Sequence, residues 1–282
     1  MEDIRITLAD NLTKLRKKHK LTQVELAHQL GFSDKAISKW EQGDTIPDIE
    51  TIKKIADLYG VTIDSLVEEV PIETESETKD PLEIILSGDV PSSLNINVEA
   101  VLQNPELPTG CEITSLTTVL NYWGYNVDKC DLADNYLHKE SGGGEYTMYE
   151  AFLGTPYDSN AFGCYAPVIK DAAEKYMARQ SKKMQVADIS GNSIEKVYAC
   201  VAQGYPVVIW STMNLHEPSW TTYWTNEDGT KFEFPSYEHC MVINGYNKND
   251  NTVEVCDPME GNTTYEMDRF EEIYKEMGSQ AV

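Results

Sequence analysis

The sequence predicts two domains of different class. The first is an all-α domain of five short helices over residues 1–69. The second is an α+β domain over residues 94–282, and an acidic linker over residues 70–93 joins them. Three observations predict this. Residues 1–69 carry apolar side chains at helical spacing, interrupted by helix caps. Residues 70–93, VPIETESETKDPLEIILSGDVPSS, are acidic and rich in Pro, Ser and Thr, which is linker composition. From about Asn95 one helical pattern, CEITSLTTVLNYWGY, is followed by the β-rich runs PVVIWSTM, HCMVINGY and NTVEVCD. A chain of 282 residues is of ordinary length for two domains.

The first helix follows from the recurrence of Ile6, Leu8, Leu12 and Leu15. Thr22 caps a second, TQVELAHQL, which Gly31 ends. Ser33 caps a third, SDKAISKWEQG, ending at Gly43. Pro47 precedes a fourth, DIETIKKIADLYG, and TIDSLV makes the fifth. Inside the linker, LEIIL is apolar and is expected to dock onto one of the domains. No stretch approaches the ~18 consecutive apolar residues of a membrane span. The amino-terminal segment is amphipathic with an acidic tip, unlike a signal peptide. A cytoplasmic location without membrane contact is the default expectation.

The net charge of -24 is unevenly divided. Residues 1–69 hold 10 Lys+Arg against 13 Asp+Glu, whereas residues 70–282 hold 13 against 34. Residues 1–40 alone are net positive, with 8 basic and 5 acidic side chains. A local basic face can therefore meet phosphates, while the acidic half is repelled by a duplex. The six cysteines, Cys111, Cys130, Cys164, Cys200, Cys240 and Cys256, include no CxxC pair. Neither a zinc ribbon nor a dithiol redox motif is signalled, and no metal or cofactor is expected. In a reducing compartment these are reduced thiols, most of them small buried apolar residues.

A helix, a tight turn at Gly31 and a second capped helix are the parts of a helix-turn-helix. The spacing TQ-x2-LA-x3-GFS-x3-IS-x-WE-x-G-x3-P resembles the lambda-repressor-like (Cro/Xre) family over residues 7–67. The resemblance implies that Leu26, Ala27, Leu30, Ile37 and Trp40 are core. It also implies that the opposite face of the third helix, with Ser33, Asp34, Lys35, Ser38 and Lys39, enters the major groove of double-stranded DNA. Lysine donates to guanine O6 and N7, and aspartate accepts from cytosine N4. Gln23 matches the position that touches a phosphate, and Lys14, Arg16 and Lys17 would neutralise further backbone charge. A homodimer is kept as an expectation.

In the second domain QNPELPTGCE opens a helix with Cys111 at its N-terminus. Unpaired N–H groups and the helix dipole favour a thiolate there, so a reactive, low-pKa thiol is expected. Acyl transfer through a thiol also needs a histidine to exchange the proton and a third group to hold its tautomer. Of five histidines, His19 and His28 fall in the first domain, while His138 and His216 lie in polar or loop segments. His239 begins a strand, and Asp257 ends the next one. Paired as a hairpin, the two strands place the carboxylate beside the imidazole. The Gln103 amide and the Cys111 N–H are the candidate oxyanion donors. Strand alternation predicts that Cys240 and Cys256 face away from the cleft, as two buried reduced thiols.

The segments QNPELPTGCE-x2-SL, AFLGTPYDSNAFGCYAPVI, GYPVVIW and HCMVINGY…VEVCDP resemble the bacteriocin-leader-processing cysteine peptidase-like family, a papain-like bacterial group. The resemblance runs from about Asn95 to Phe270. It implies a papain-like α+β fold, with Cys111 as nucleophile, His239 as general base and acid, Asp257 as orienter and Gln103 in the oxyanion hole. The chain lacks the membrane span and ATPase domain of transporter-linked members, so a double-glycine leader substrate does not follow. Cys164 and Cys200 are read as core, and Glu112 as a helix-start charge. The loop SGGGEYTMYE reads as a lid or a connector. Trp210, Trp220, Tyr223 and Trp224 read as either a substrate groove or a core corner.

Three functions fit. The first is a DNA-binding regulator fused to an active cysteine peptidase or amidohydrolase acting on a peptide or amide substrate. The second is a regulator whose papain-like half only senses a peptide ligand. The third is an acyltransferase using the same triad. The complete Cys/His/Asp/Gln set favours catalysis over sensing; nothing in the sequence separates hydrolysis from transfer.

Overall fold

A computed structural model describes residues 4–19, 21–67, 80–142, 146–225 and 231–282. The first part of the expected linker, residues 70–79, and Gly143, Gly144 and Glu145 of the glycine-rich loop fall outside these. The chain divides into two compact units, Met1–Thr78 and Lys79–Val282.

The first unit is five helices: α1 (Ile4–Lys18), α2 (Gln23–Leu30), α3 (Asp34–Glu41), α4 (Ile49–Tyr59) and α5 (Ile63–Val67). Thr22 forms a capping box with Glu25, and Gly31 ends α2 in the left-handed conformation, φ 76°. Ser33 and Asp48 cap α3 and α4. Helix α3 stops at Glu41, two residues short of the expected Gly43, because Gln42 already closes its last turn. Leu12, Leu26, Ile37, Ile55 and Leu66 are fully buried in one cluster. Trp40, Leu30 and Ala27 line it, as the motif spacing implies.

The second unit opens with α6 (Pro81–Leu86) and β1 (Ser93–Asn95). The expected linker is therefore corrected in its second half. Asp80 caps α6 with Pro81 in its first turn, and Leu82, Ile85 and Leu86 pack on the larger core. Next come α7 (Cys111–Tyr122), α8 (Lys129–Asn135), β2 (Lys139–Glu140), β3 (Phe152–Leu153), α9 (Ala166–Ala178) and α10 (Ile194–Ala202). The β-rich part is β4 (Val207–Thr212), β5 (Trp220–Thr225), β6 (Lys231–Pro235), β7 (Glu238–Asn247), β8 (Thr252–Asp257) and β9 (Gly261–Glu266), followed by α11 (Met267–Glu276).

The central sheet is antiparallel, in the order β1-β7-β8-β9, with β4 also paired to β7. One edge of β7 is shared: β4 pairs with residues 238–243 and β1 with residues 245–247. On the other edge β8 pairs no further than Val242↔Cys256. The start of β7 thus lacks a strand neighbour on that side, and α7 takes the place. Ser115 Oγ donates to the Cys240 carbonyl at 3.2 Å. A single core runs through this unit, with Trp210, Phe152, Phe270, Tyr198, Tyr246 and Tyr274 as its largest buried side chains. Among the described residues no helix is long and apolar enough to cross a membrane.

Candidate functional site

Asp257 is one residue beyond the Val242↔Cys256 pair, where a continued register would set it opposite Met241. His239 is two residues further along β7 and so on the same face. The diagonal is short enough for a direct bond: His239 Nε2 and Asp257 Oδ1 are 2.8 Å apart, both side chains almost fully buried. Asp257 Oδ1 also accepts from the Met259 N–H at 2.8 Å, and its Oδ2 from the Tyr265 hydroxyl at 3.3 Å. Burial would raise this carboxyl, but the bonds from His239, Met259 and Tyr265 outweigh it and hold the carboxyl below its ordinary range. Asp257 is thus a fixed anion, and with Nε2 engaged the free imidazole nitrogen is Nδ1.

Cys111 is the first residue of α7, after Gly110, and is 6% exposed. Its sulfur lies within 4.8 Å of a carboxylate oxygen of Glu238, the residue directly before His239 on β7. The thiol donates to Glu112 Oε2 at 3.3 Å. The expectation of a low pKa is corrected: burial first, then the nearby Glu112 and Glu238 carboxylates, push the thiol well up. Desolvation of a charge here outweighs what a helix N-terminus contributes.

Gln103 is buried, with its backbone N–H on the Pro258 carbonyl at 2.7 Å. Its side-chain Nε2 donates one hydrogen to Pro108 O at 2.8 Å and keeps the second, while Oε1 is buried without a partner. The loop 103–110 is therefore tied both to the end of β8 and to itself just before Cys111.

Two carboxylates were not foreseen in these positions. Glu112, read from sequence as a helix-start charge, is fully buried and accepts the Cys164 N–H at 2.8 Å. Burial raises its pKa to about 7. Glu238 directly precedes His239, and its Oε1 is shut off from solvent without a hydrogen bond; burial and then Glu112 raise it well above the ordinary value. The donor atoms of Cys111, Glu112 and Glu238 lie within 4.8 Å of one another, close enough to chelate a divalent cation. Alternation puts Cys240 on the Glu238 face of β7, so Cys240 borders this acidic group rather than a remote face. It and Cys256 are buried and reduced, and the Cys256 sulfur contacts Val98 O at 3.6 Å.

The raised carboxyls give a pH prediction. Between the ordinary value of 4.5 and about 7, unfolded Glu112 ionises while folded Glu112 keeps its proton. The folded state then binds more protons, so this group subtracts stability as pH rises through that window. Glu112→Gln keeps an acceptor for Cys164 but cannot ionise. Its melting temperature should fall less than the parent's between pH 4.5 and 7; parallel curves would contradict the assignment.

Of the aromatic set, Trp210 is core, with its indole N–H on Cys164 O at 2.9 Å. Trp220 and Tyr223 are about half exposed on β5, and Trp224 stacks on Phe232 at 3.8 Å.

In the first unit Asp34, Lys35, Lys39 and Lys14 are exposed. Ser33 Oγ is the α3 cap, accepting from Ala36 N at 3.3 Å, and Ser38 Oγ accepts from Gln42 at 3.2 Å. Arg16 is a correction. It forks onto Glu41 at 2.6 and 2.9 Å and donates to Leu21 O at 2.8 Å, so it ties α1 to α3 rather than standing free for a phosphate. Gln23 joins the same cluster, donating to Glu41 at 2.8 Å.

A family profile described as "Peptidase_C39 like family" matches residues 95–282, and one described as "Helix-turn-helix" matches residues 12–66. The protein YvpB of Bacillus subtilis is 34% identical over 183 residues, covering 63% of this chain and 70% of that one. The HTH-type transcriptional activator BcrR of Enterococcus faecalis is 43% identical over 70 residues, covering 25% of this chain and 34% of BcrR. A crystal structure described as a C39-like peptidase from Bacillus anthracis superposes with a TM-score of 0.59 at 31% identity, over 68% of this chain and 96% of that one.

Proposed function

The chain belongs to the Peptidase_C39-like family, and on that premise we propose that it is a DNA-binding regulator whose second unit hydrolyses a peptide or amide bond through Cys111, His239 and Asp257. The observation that carries the reading is the buried 2.8 Å bond between His239 Nε2 and Asp257 Oδ1, together with a cysteine at a helix N-terminus whose sulfur lies within 4.8 Å of the carboxylate of Glu238, the residue before His239. It fixes the tautomer and leaves Nδ1 as the base. For reaction the thiol rotates from Glu112 toward His239 and gives its proton to Nδ1. Sulfur attacks the carbonyl carbon, and the oxyanion takes hydrogen bonds from the Cys111 N–H and the second Gln103 N–H. Collapse expels the amine, which takes the proton from His239. Water then attacks the thioester, passing its proton to His239, and the acid leaves as the thiol re-forms.

One observation favours the sensing alternative: the resting thiol is protonated and bonded to Glu112. Labelling with a thiol-reactive peptidyl electrophile distinguishes the two. Hydrolysis predicts a single adduct on Cys111, lost in Cys111→Ala. A parent protein that stays unlabelled sinks the catalytic reading.

A helix-turn-helix domain implies double-stranded DNA as partner. In the proposed interface Lys35 and Lys39 meet base edges and Lys14 a phosphate. Lys35→Ala and Lys39→Ala should each lose discrimination between specific and scrambled duplexes, by about 1–3 kcal/mol. Lys14→Ala should weaken both duplexes evenly. Fluorescence anisotropy at two salt concentrations reads both; full discrimination in the lysine pair would remove α3 from the groove.

A further inference from the structure

The second unit holds a cavity of about 370 Å³ away from the cysteine site. One wall is the α7 stripe Leu116, Val119, Leu120 and Trp123, a different face of that helix from Cys111 and Ser115, which meet β7. Among the described residues no Asp, Glu, Lys or Arg side chain lines it. The pocket is partly open to solvent and mostly apolar in its walls, so exchanging its water for an apolar guest is favourable. The volume is in the range of built ligand pockets, ~300–1,000 Å³.

Helix α6 closes one side with Leu82 and Ile85. It is lightly seated. None of its residues is fully buried, Ile84 is 51% exposed, and Gln203 Nε2 holds it by the Ile85 carbonyl at 2.6 Å. A short apolar helix over an apolar cavity is a cover that can lift and reseat on a guest without leaving a buried polar group unpaired.

We propose that this cavity binds a neutral apolar small molecule, a hydrocarbon chain or fused ring system of roughly fifteen carbons, beneath the α6 cover. The size follows by scaling from the ~150 Å³ cavity that holds benzene. Recognition is by shape and dewetting, with the polar groups of Gln185 and Tyr205 among the lining residues available to a single hydroxyl or carbonyl.

The test titrates the full chain with the neutral fluorophore 1-N-phenylnaphthylamine. It requires no turnover at Cys111, so its outcome is independent of the proposed hydrolysis. Saturable one-to-one binding with a blue-shifted rise in emission is expected. Slower hydrogen exchange of the amides of residues 82–88 should accompany it. Val119→Trp fills the cavity and Leu82→Asp puts a charge in its cover; each should raise the dissociation constant at least tenfold. Ile84→Asp, on the outer face of α6, should stay within twofold of the parent. Leu82→Asp keeps the test decisive if Val119→Trp loses its cooperative melt. Unsaturable binding, parent-like affinity in both cavity variants, or an equal loss in Ile84→Asp would overturn the proposal.

Discussion

His239→Ala should slow acylation of Cys111 by a peptidyl electrophile at least ~10³-fold, the scale on which a lost triad member is felt. The expectation rests on geometry. Asp257 spends Oδ1 on Nε2 and on the Met259 N–H and is held as an anion, so the imidazole has one orientation and one free nitrogen. The thiol is raised by burial and by its acidic neighbours. Without a base to take its proton, it is a poor nucleophile at neutral pH. A merely structural role for His239 would lower the melting temperature without a specific rescue. Added imidazole should therefore restore part of the rate in His239→Ala and none in Cys111→Ala. An unchanged acylation rate would remove His239 from the chemistry.

Gly163→Ala should cost the second unit about 4 kcal/mol, from left-handed backbone strain and overpacking together. Gly163 has φ 97°, which side chains rarely adopt, and a β-carbon there would collide with Glu112 Oε1. That oxygen cannot retreat freely, because it accepts the Cys164 N–H at 2.8 Å in a fully buried site. For a unit of this size the cost corresponds to a fall of roughly 12 °C in melting temperature. Trimming the obstacle in the double variant Glu112→Ala/Gly163→Ala should recover the collision part but not the backbone part. A melting temperature within ~2 °C of the parent for Gly163→Ala would show that the tight Gly163–Glu112 contact is not sustained.

Features that local chemistry determines were legible before any coordinates. The Thr22 cap, the left-handed Gly31 and the apolar stripe of α2 and α3 are short-range signals, and the helices follow them. The His239–Asp257 pairing was legible for a related reason: strand alternation and a hairpin constrain which residues share a face. Long-range partners were not. Arg16 reads as a surface cation because Glu41 is 25 residues away in sequence. Glu238 carries no signal in the sequence, because sequence does not show that α7 and the Gly163 turn will close over it. The cysteine at the helix start was legible in position, and its burial was not. Burial is a property of the packed sheet and loops, and it reversed the sign of the expected pKa shift. The run LEIIL was legible as an apolar docking segment and packs on the second unit as α6, but the acidic, Pro- and Ser-rich residues around it set the linker bound too late.

The most direct test of a hydrolytic Cys111–His239–Asp257 site is to follow the acyl-enzyme itself. The chain is mixed with an activated peptidyl ester, quenched over time and weighed intact. A working site predicts one acyl adduct on Cys111 that forms and then decays as free acid is released, absent in Cys111→Ala and strongly slowed in His239→Ala. No adduct, or one that forms on Cys111 at the same rate without His239, would contradict it.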